Sequence, residues 1–295
     1  MVDCTLIKST LIKTLNVNNQ LGEGISWHPA QQAAWWTDIH SRQLFRYDLT
    51  ADKTEQWDMP DRVGSFGFVK NSDDLIVAFE SGIAFYNVNT CKIQWLGKPE
   101  AGRPGNRLND GKVDPFGRFW VGGMVEKPTQ AQQVAGLYKV DGSKITQALD
   151  GFGISNGLCW NVDGSLMYHA DSNTRKIYQY DVDQQNGQVS NKQLFAETDA
   201  HCVPDGATVD AQGGVWSAQW GGKKVVRYTP DGKESFELEV PFSQPTCVCF
   251  GGPKLDLLFV TSARVGDEAN EQAGNVLVYQ TNVTGLNTSF FELSE

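Results

Sequence analysis

The chain lacks the long apolar runs that membrane proteins need. Nowhere do about eighteen apolar residues follow one another, and Met1 to Thr10 carries charges where a signal peptide would have a continuous apolar region. We therefore expect a cytoplasmic protein without membrane contacts.

Positive charge is also scarce. Lys and Arg number 25 against 35 Asp and Glu, so the formal net charge is −10. No stretch concentrates lysine and arginine, and the average surface repels phosphate backbones. The composition therefore excludes a nucleic-acid-binding function.

Several catalytic and structural motifs are missing. The histidines form neither HxH nor HExxH, which argues against a histidine-rich zinc hydrolase, and no GxSxG elbow of an α/β-hydrolase occurs. The six cysteines lie scattered, with Cys247 and Cys249 forming CxC inside an apolar run. This arrangement favours small core residues over disulfides or a zinc knuckle.

What the sequence does contain is a unit repeated about six times. Each unit has a tight turn, a strand rich in aromatic and β-branched residues, a polar turn and a second strand. The units begin at His28, Lys70, Asp114, Asn161, Asp210 and Gly251. A spacing of about 40 to 50 residues is typical of propeller blades. The pattern predicts an all-β fold, a six-bladed β-propeller with four antiparallel strands per blade, as one domain over residues 1–295.

The segment from Leu6 to Leu15 has no hairpin partner nearby in the sequence. We expect it to complete the blade made by the C-terminal residues, which would close the ring without a covalent bond.

Polar segments just upstream of the repeat strands share one pattern, an acidic or amide side chain followed by glycine directly or after one residue. They are Leu21–Gly24, Asn106–Gly111, Ile154–Gly157 and Val203–Gly206. Glycine allows a sharp turn, and Glu, Asn and Asp offer hard oxygen ligands that could together bind one divalent cation at a propeller mouth. Asn-Gly and Asp-Gly are also common in ordinary turns, so spacing alone leaves both interpretations open.

Two charged residues near these segments also have two interpretations each. Arg107 can donate two hydrogen bonds to a carbonyl or to sugar hydroxyls, or it can form a surface ion pair. Glu126 can lie on a flap formed by residues 127–135, or it can be a solvated loop acid.

At these segments the chain resembles the gluconolactonase family, which also contains the senescence marker protein (regucalcin) and luciferin-regenerating enzymes. The matching stretches are LGEG from Leu21, RLNDGKVDPFGRFWVGGM from Arg107, ISNGL from Ile154, PDGATVDAQGGVW from Pro204, CFGGP from Cys249 and VTSAR from Val260. They occur in family order over essentially the whole chain.

The resemblance implies a divalent-metal-dependent hydrolase that opens a sugar lactone to its aldonic acid. The implied metal ligands are Glu23, Asn156 and Asp205. The attacking water would be deprotonated by Asp205 or by the metal itself. Ca²⁺, Zn²⁺, Mn²⁺, Mg²⁺ and Fe²⁺ all remain candidates for the single ion.

The resemblance also implies a substrate site, in which Asn109 lies beside the metal and Arg107 grips the substrate. The family's flap acid follows a GTM-like segment, here Gly122-Gly123-Met124. Either Glu126 takes that role or no residue does, because position 127 is lysine.

Two other functions fit the same residues. One is a non-catalytic calcium-binding regulator, and the other is a hydrolase of a non-sugar ester or organophosphate. Retention of Arg107 and Asn109, which an ion site alone does not need, favours the sugar lactonase. We expect a small-molecule lactone as the partner and a monomer or weak dimer.

Overall fold

Short strands account for nearly all the regular structure of residues 6–129 and 133–293, the part of the chain that the computed structural model describes. These residues form six four-stranded antiparallel sheets. The other regular element in the described part is a single 3-10 turn, Ser172–Thr174. The predicted six-bladed β-propeller is confirmed.

The strands are numbered along the chain, and the first strand, β1 (Ser9–Leu15), belongs to the last blade. Blade 1 contains β2 (Gly22–His28), β3 (Ala33–Asp38), β4 (Gln43–Asp48) and β5 (Lys53–Asp58). Blade 2 contains β6 (Val63–Phe68), β7 (Leu75–Phe79), β8 (Gly82–Tyr86) and β9 (Ile93–Gly97). Blade 3 contains β10 (Asn106–Val113), β11 (Phe119–Val125), β12 (Ala135–Asp141) and β13 (Lys144–Phe152).

The remaining blades repeat this order. Blade 4 contains β14 (Ser155–Trp160), β15 (Leu166–Asp171), β16 (Lys176–Val182) and β17 (Val189–Glu197). Blade 5 contains β18 (Val203–Val209), β19 (Val215–Trp220), β20 (Lys224–Tyr228) and β21 (Glu234–Glu239). Blade 6 contains β22 (Pro245–Gly251), β23 (Leu257–Ser262) and β24 (Val276–Thr281), followed by β1.

The N-terminal strand closes the ring. β1 pairs antiparallel with β24, with Ser9 opposite Thr281 and Leu15 opposite Val276. The expected completion of the C-terminal blade by the N-terminal segment is therefore confirmed.

The first strand of each blade lies at the propeller axis and the last strand lies at the surface. β6 is buried along its whole length, whereas β5 alternates between exposed and half-buried residues. Aromatic residues fill the space between blades, as where Trp27 and Trp36 pack in one cluster with Phe259. Cys247 and Cys249 belong to this cluster, as expected for core residues. Cys4 lies outside the described residues.

Aspartates at the far ends of two axial strands organise the hairpins that follow. Asp114 Oδ2 accepts the indole N–H of Trp120 at 2.9 Å, and Asp210 Oδ2 accepts that of Trp216 at 2.8 Å. Both carboxylates also accept backbone N–H groups of their own turn. These two axial strands therefore start at one mouth of the propeller and end in a hydrogen-bonded turn at the other.

No helix within residues 6–129 and 133–293 is long and apolar enough to cross a bilayer.

Candidate active site

The predicted polar segments precede the strands recognised as repeats, as expected, and they lie almost entirely inside one further strand of each blade, the axial strand. Glu23 is in β2, Asn109 in β10, Asn156 in β14 and Asp205 in β18. The first residues of these strands are difficult to recognise as strand in the sequence, because polar residues and glycine interrupt the expected apolar alternation.

A break in strand pairing occurs at each of these residues. The register shifts between Glu23 and Ser26 in β2, and between Asn156 and Cys159 in β14. Similar shifts follow Leu108 in β10 and Pro204 in β18. A β-bulge re-aims side chains that regular alternation would send elsewhere. The glycines make this possible in blades 1 and 4, where Gly24 and Gly157 have φ of 60° and 64°.

The bulges bring three carboxyl groups together near the axis. Burial, and then the neighbouring Asp110 charge, raise the pKa of Glu23 to about 8. Burial raises the pKa of Asp205 well above its usual range, and the charges of Glu23 and Asp110 raise it further. Burial also raises the pKa of Asp110. Glu23 keeps some accessible surface because the channel reaches it, but protein atoms surround its carboxylate, so desolvation still dominates.

None of these carboxylates has a counter-charge in contact. Among the described residues, neither Glu23, Asp110 nor Asp205 forms an ion pair with Lys, Arg or His. Glu23 Oε2 accepts the N–H of Gly24 at 3.2 Å, and Asp110 Oδ2 accepts that of Leu158 at 3.1 Å. A buried carboxylate is costly unless a partner or a metal compensates its charge.

Asn156 is held by one side chain from the neighbouring blade 3 and one from its own blade 4. Its Oδ1 accepts from Asn109 Nδ2 at 2.9 Å, and its Nδ2 donates to Ser172 Oγ at 2.9 Å. Ser172 Oγ in turn donates to the Pro204 carbonyl at 2.7 Å, next to Asp205. An amide oxygen has two lone pairs, so Oδ1 of Asn156 can still bind a cation.

This donor set fits a hard divalent cation. Glu23, Asn156 and Asp205 offer two carboxylates and one amide oxygen, the ligand types that Ca²⁺ and Mg²⁺ prefer. The missing counter-charge at the carboxylates is what such an ion would supply.

Arg107 is buried beside these residues and is not a surface side chain, since only 4% of it is exposed. Its Nη1 donates to Asn109 Oδ1 at 2.7 Å and to the Leu108 carbonyl at 3.0 Å, and its Nε donates to Glu126 Oε1 at 2.8 Å. Within the described residues Nη2 has no hydrogen-bond partner, and it is not sealed from solvent. One donor of Arg107 is therefore free at the mouth.

Glu126 is not a solvated loop acid. It follows β11 and accepts hydrogen bonds from Arg62 and Arg107, which hold its pKa at about 2. Of the segment proposed as a flap, residues 130–132 lie outside the described residues, and β12 begins at Ala135.

Two charged residues at the site were not singled out from the sequence. Asp110 belongs to the predicted segment Asn106–Gly111 but has no assigned role there; regular alternation would place it on the opposite face from Asn109, and the bulge in β10 allows both to reach the site. Arg62 lies just before β6, at the entry to the axial strand of blade 2. Its place next to the start of an axial strand is the signal that would have found it.

A cavity of about 330 Å³ extends along the channel from Asp110 toward the hairpin ends of the axial strands. Its lining includes Asp110, Lys112 and Cys159 together with Leu286 and Thr288 near the C-terminus. Arg107 and Glu126 do not line it, so the free guanidinium donor and this cavity face opposite mouths.

The fold and the side chains define a class of protein, a six-bladed propeller with oxygen donors buried at one mouth of its axis. The chain belongs to the family described as SMP-30/Gluconolactonase/LRE-like, whose profile matches residues 21–264. The family resemblance seen in the sequence is confirmed.

Relatives match over nearly their full length. An L-arabinolactonase of Azospirillum brasilense is 37% identical over 94% of this chain and 93% of its own. A 6-deoxy-6-sulfogluconolactonase of Pseudomonas putida is 34% identical over 92% and 94%. A crystal structure of regucalcin from Agrobacterium tumefaciens, described as a calcium-binding protein, superposes with a TM-score of 0.87 at 27% identity over 95% and 97%.

Proposed function

We propose that this protein hydrolyses the ring ester of a sugar lactone to give the aldonic acid, using one bound divalent cation. The observation that carries the proposal is the set of buried, unpaired carboxylates beside the free donor of Arg107. The lactonase names of its relatives agree with the prediction of a lactone-hydrolysing enzyme. The calcium-binding regucalcin supports a divalent ion without identifying it.

The cation would be held by Glu23 through a carboxylate oxygen, by Asn156 through Oδ1 and by Asp205 through a carboxylate oxygen. When bound, it would supply Lewis acidity that polarises the lactone carbonyl. Asn109 keeps Asn156 oriented through its 2.9 Å hydrogen bond.

Asp205 removes a proton from the attacking water at a carboxylate oxygen. Asp205 forms no ion pair with Lys, Arg or His among the described residues, so its carboxylate is available as the general base for this step. The water oxygen bonds to the carbonyl carbon and the ring C–O bond breaks. The proton that Asp205 took from the water passes to the ring oxygen, which leaves as a hydroxyl, and the aldonic acid then releases its own proton to solvent.

Arg107 binds the lactone through Nη2, the donor with no partner among the described residues. Its other nitrogens are fixed by Asn109 and Glu126, so the guanidinium is rigid before the substrate arrives. Such preorganisation lowers the entropy cost of orienting a substrate.

A second candidate is a non-catalytic calcium-binding regulator. The description of the similar Agrobacterium protein as calcium-binding favours it. The free donor of Arg107 favours the enzyme, because an ion site does not require a guanidinium.

We also propose that residues 1–295 form one domain that acts in the cytoplasm as a monomer or weak dimer. The sugar lactone is then its partner, and neither nucleic acid nor membrane is.

A pH-stat assay tests the proposal. Metal-stripped protein is given pentono- and hexonolactones, and single cations are added back. We expect cation-dependent acid release, and we expect Arg107→Ala to lose activity while binding the same cation normally. Tight cation binding without hydrolysis of any lactone would favour the regulator.

A further inference from the structure

Arg62 reaches the mouth from blade 2, which supplies none of the residues assigned above. Its Nη1 and Nη2 donate to the two carboxylate oxygens of Glu126 at 2.9 and 2.7 Å, and its Nε donates to Glu80 at 2.6 Å. A guanidinium bound to both oxygens of a carboxylate fixes its orientation as well as its charge.

Glu126 is therefore shared by two arginines. Its Oε1 accepts from Arg62 Nη1 and also from Arg107 Nε, whereas its Oε2 accepts only from Arg62 among the described residues. Arg107 thus donates to only one carboxylate oxygen of Glu126, and its Nη2 has no hydrogen-bond partner among the described residues.

The stereochemistry of arginine shows what Arg62 prevents. Nε and Nη2 lie on the same edge of the guanidinium, and a carboxylate prefers to accept from two such nitrogens together. Oε1 of Glu126 is already on Nε of Arg107 at 2.8 Å. If Oε2 were released, it could turn onto Nη2 and occupy the free donor.

We propose that Arg62 is a positioning residue for substrate binding: by holding Oε2 of Glu126, it keeps Nη2 of Arg107 available to the lactone. The inference rests on the proposed function, because it gives Nη2 its ligand. Arg62 itself acts through Glu126 and does not touch the substrate.

Replacement of Arg62 tests this with purified, metal-loaded protein and the best lactone from the screen. We expect Arg62→Ala to raise KM about tenfold, the usual scale for one hydrogen bond to a charged group, with kcat within about twofold. Cation affinity, measured by calorimetry, should not change. Arg62→Lys, which keeps the charge but cannot bind both oxygens, should raise KM by a smaller factor.

A matched control is available on the same rim. Arg103 binds both oxygens of Asp150, at 2.8 and 2.7 Å, without contacting Glu126 or Arg107. Arg103→Ala removes the same charge and the same kind of ion pair, and we expect its KM to equal that of the wild type.

A double-mutant cycle separates positioning from direct contact. If Arg62 acts through Glu126, adding Arg62→Ala to Glu126→Ala leaves KM nearly unchanged. If instead the increases in KM of the two single variants multiply in the double variant, Arg62 contacts the substrate directly, and the inference would be overturned.

Other results would overturn it too. These are an unchanged KM in both Arg62 variants, or a loss confined to kcat or to cation affinity. If the wild type is active and KM is unchanged in both Arg62 variants, only this inference is refuted. If the wild type hydrolyses no lactone, the proposed function is refuted as well.

Discussion

Two kinds of buried carboxylate lie on the axial strands, and they differ in their partners. Asp114 and Asp210, both 0% exposed, are ion-paired to Arg118 at 2.7 Å and to Arg227 at 2.6 Å. Asp110 and Asp205, 7% and 5% exposed, have no ion pair within the described part of the chain. Asp110 and Asp114 are only four residues apart.

The difference shows where the fold compensates charge by itself. At the hairpin end of the strands, arginine, indole N–H and backbone N–H groups offset the desolvation of each aspartate. At the mouth, burial raises the pKa of Asp110 and Asp205, neither of which has an arginine partner among the described residues. The same substitution should therefore reduce catalysis at the mouth and reduce the free energy of unfolding at the hairpin end.

The largest effect is expected at the mouth. Asp205→Asn keeps the shape and one oxygen donor, but it removes both the ligand charge and the base. Excess cation compensates weaker binding and cannot restore the base, so we expect kcat to stay at least about 10²-fold below wild type at saturating metal. Steady-state assays over a cation titration measure this. Full rescue by added cation would show that Asp205 is a ligand only.

The same substitution at the hairpin end should affect stability. Asp210→Asn leaves Arg227 buried without its counter-charge, and we expect the free energy of unfolding to fall by about 3 kcal/mol. Urea denaturation of the metal-free protein measures the loss. Cation affinity and kcat should stay at wild-type values, and a change in either would contradict the separation of the two ends.

The metal-free protein should lose stability as the pH rises. Glu23 has a folded-state pKa of about 8, whereas an unfolded glutamate releases its proton near about 4.3. Between these values the folded protein binds more protons than the unfolded chain, so its free energy of unfolding falls with increasing pH. Glu126, with a pKa of about 2, titrates below this window.

Denaturation in chelator at about pH 5.5 and about pH 8 measures that slope. Glu23→Gln removes the titrating group, so the variant should show a shallower fall. Saturating cation should flatten the wild-type slope as well, because it compensates the charge. An identical slope in wild type and variant would exclude Glu23 as its source.

The sequence predicts the local features of this molecule better than the contacts between blades. Turn and strand signals recur within each unit, so the fold followed from them, including closure by β1. The glycine that follows Glu23 and Asn156 marks their bulges, because positive φ is a local property. The contact of Arg62 with Glu126 joins residues 64 positions apart on different blades, and no local pattern encodes it.

The smallest effect is expected for a hydroxyl that supports a ligand without binding the cation. Ser172 Oγ accepts from Asn156 Nδ2 and donates to the Pro204 carbonyl, so it ties two ligand-bearing strands together. Ser172→Ala leaves Asn156 with only its contact to Asn109, and we expect the cation dissociation constant to rise about tenfold, the lower end of such indirect effects. Ser217→Ala is the control, since that buried hydroxyl bonds only to the Ala218 carbonyl within the described residues. Calorimetric titration of both variants should separate them. Equal affinities would mean that Asn109 alone is enough to orient Asn156.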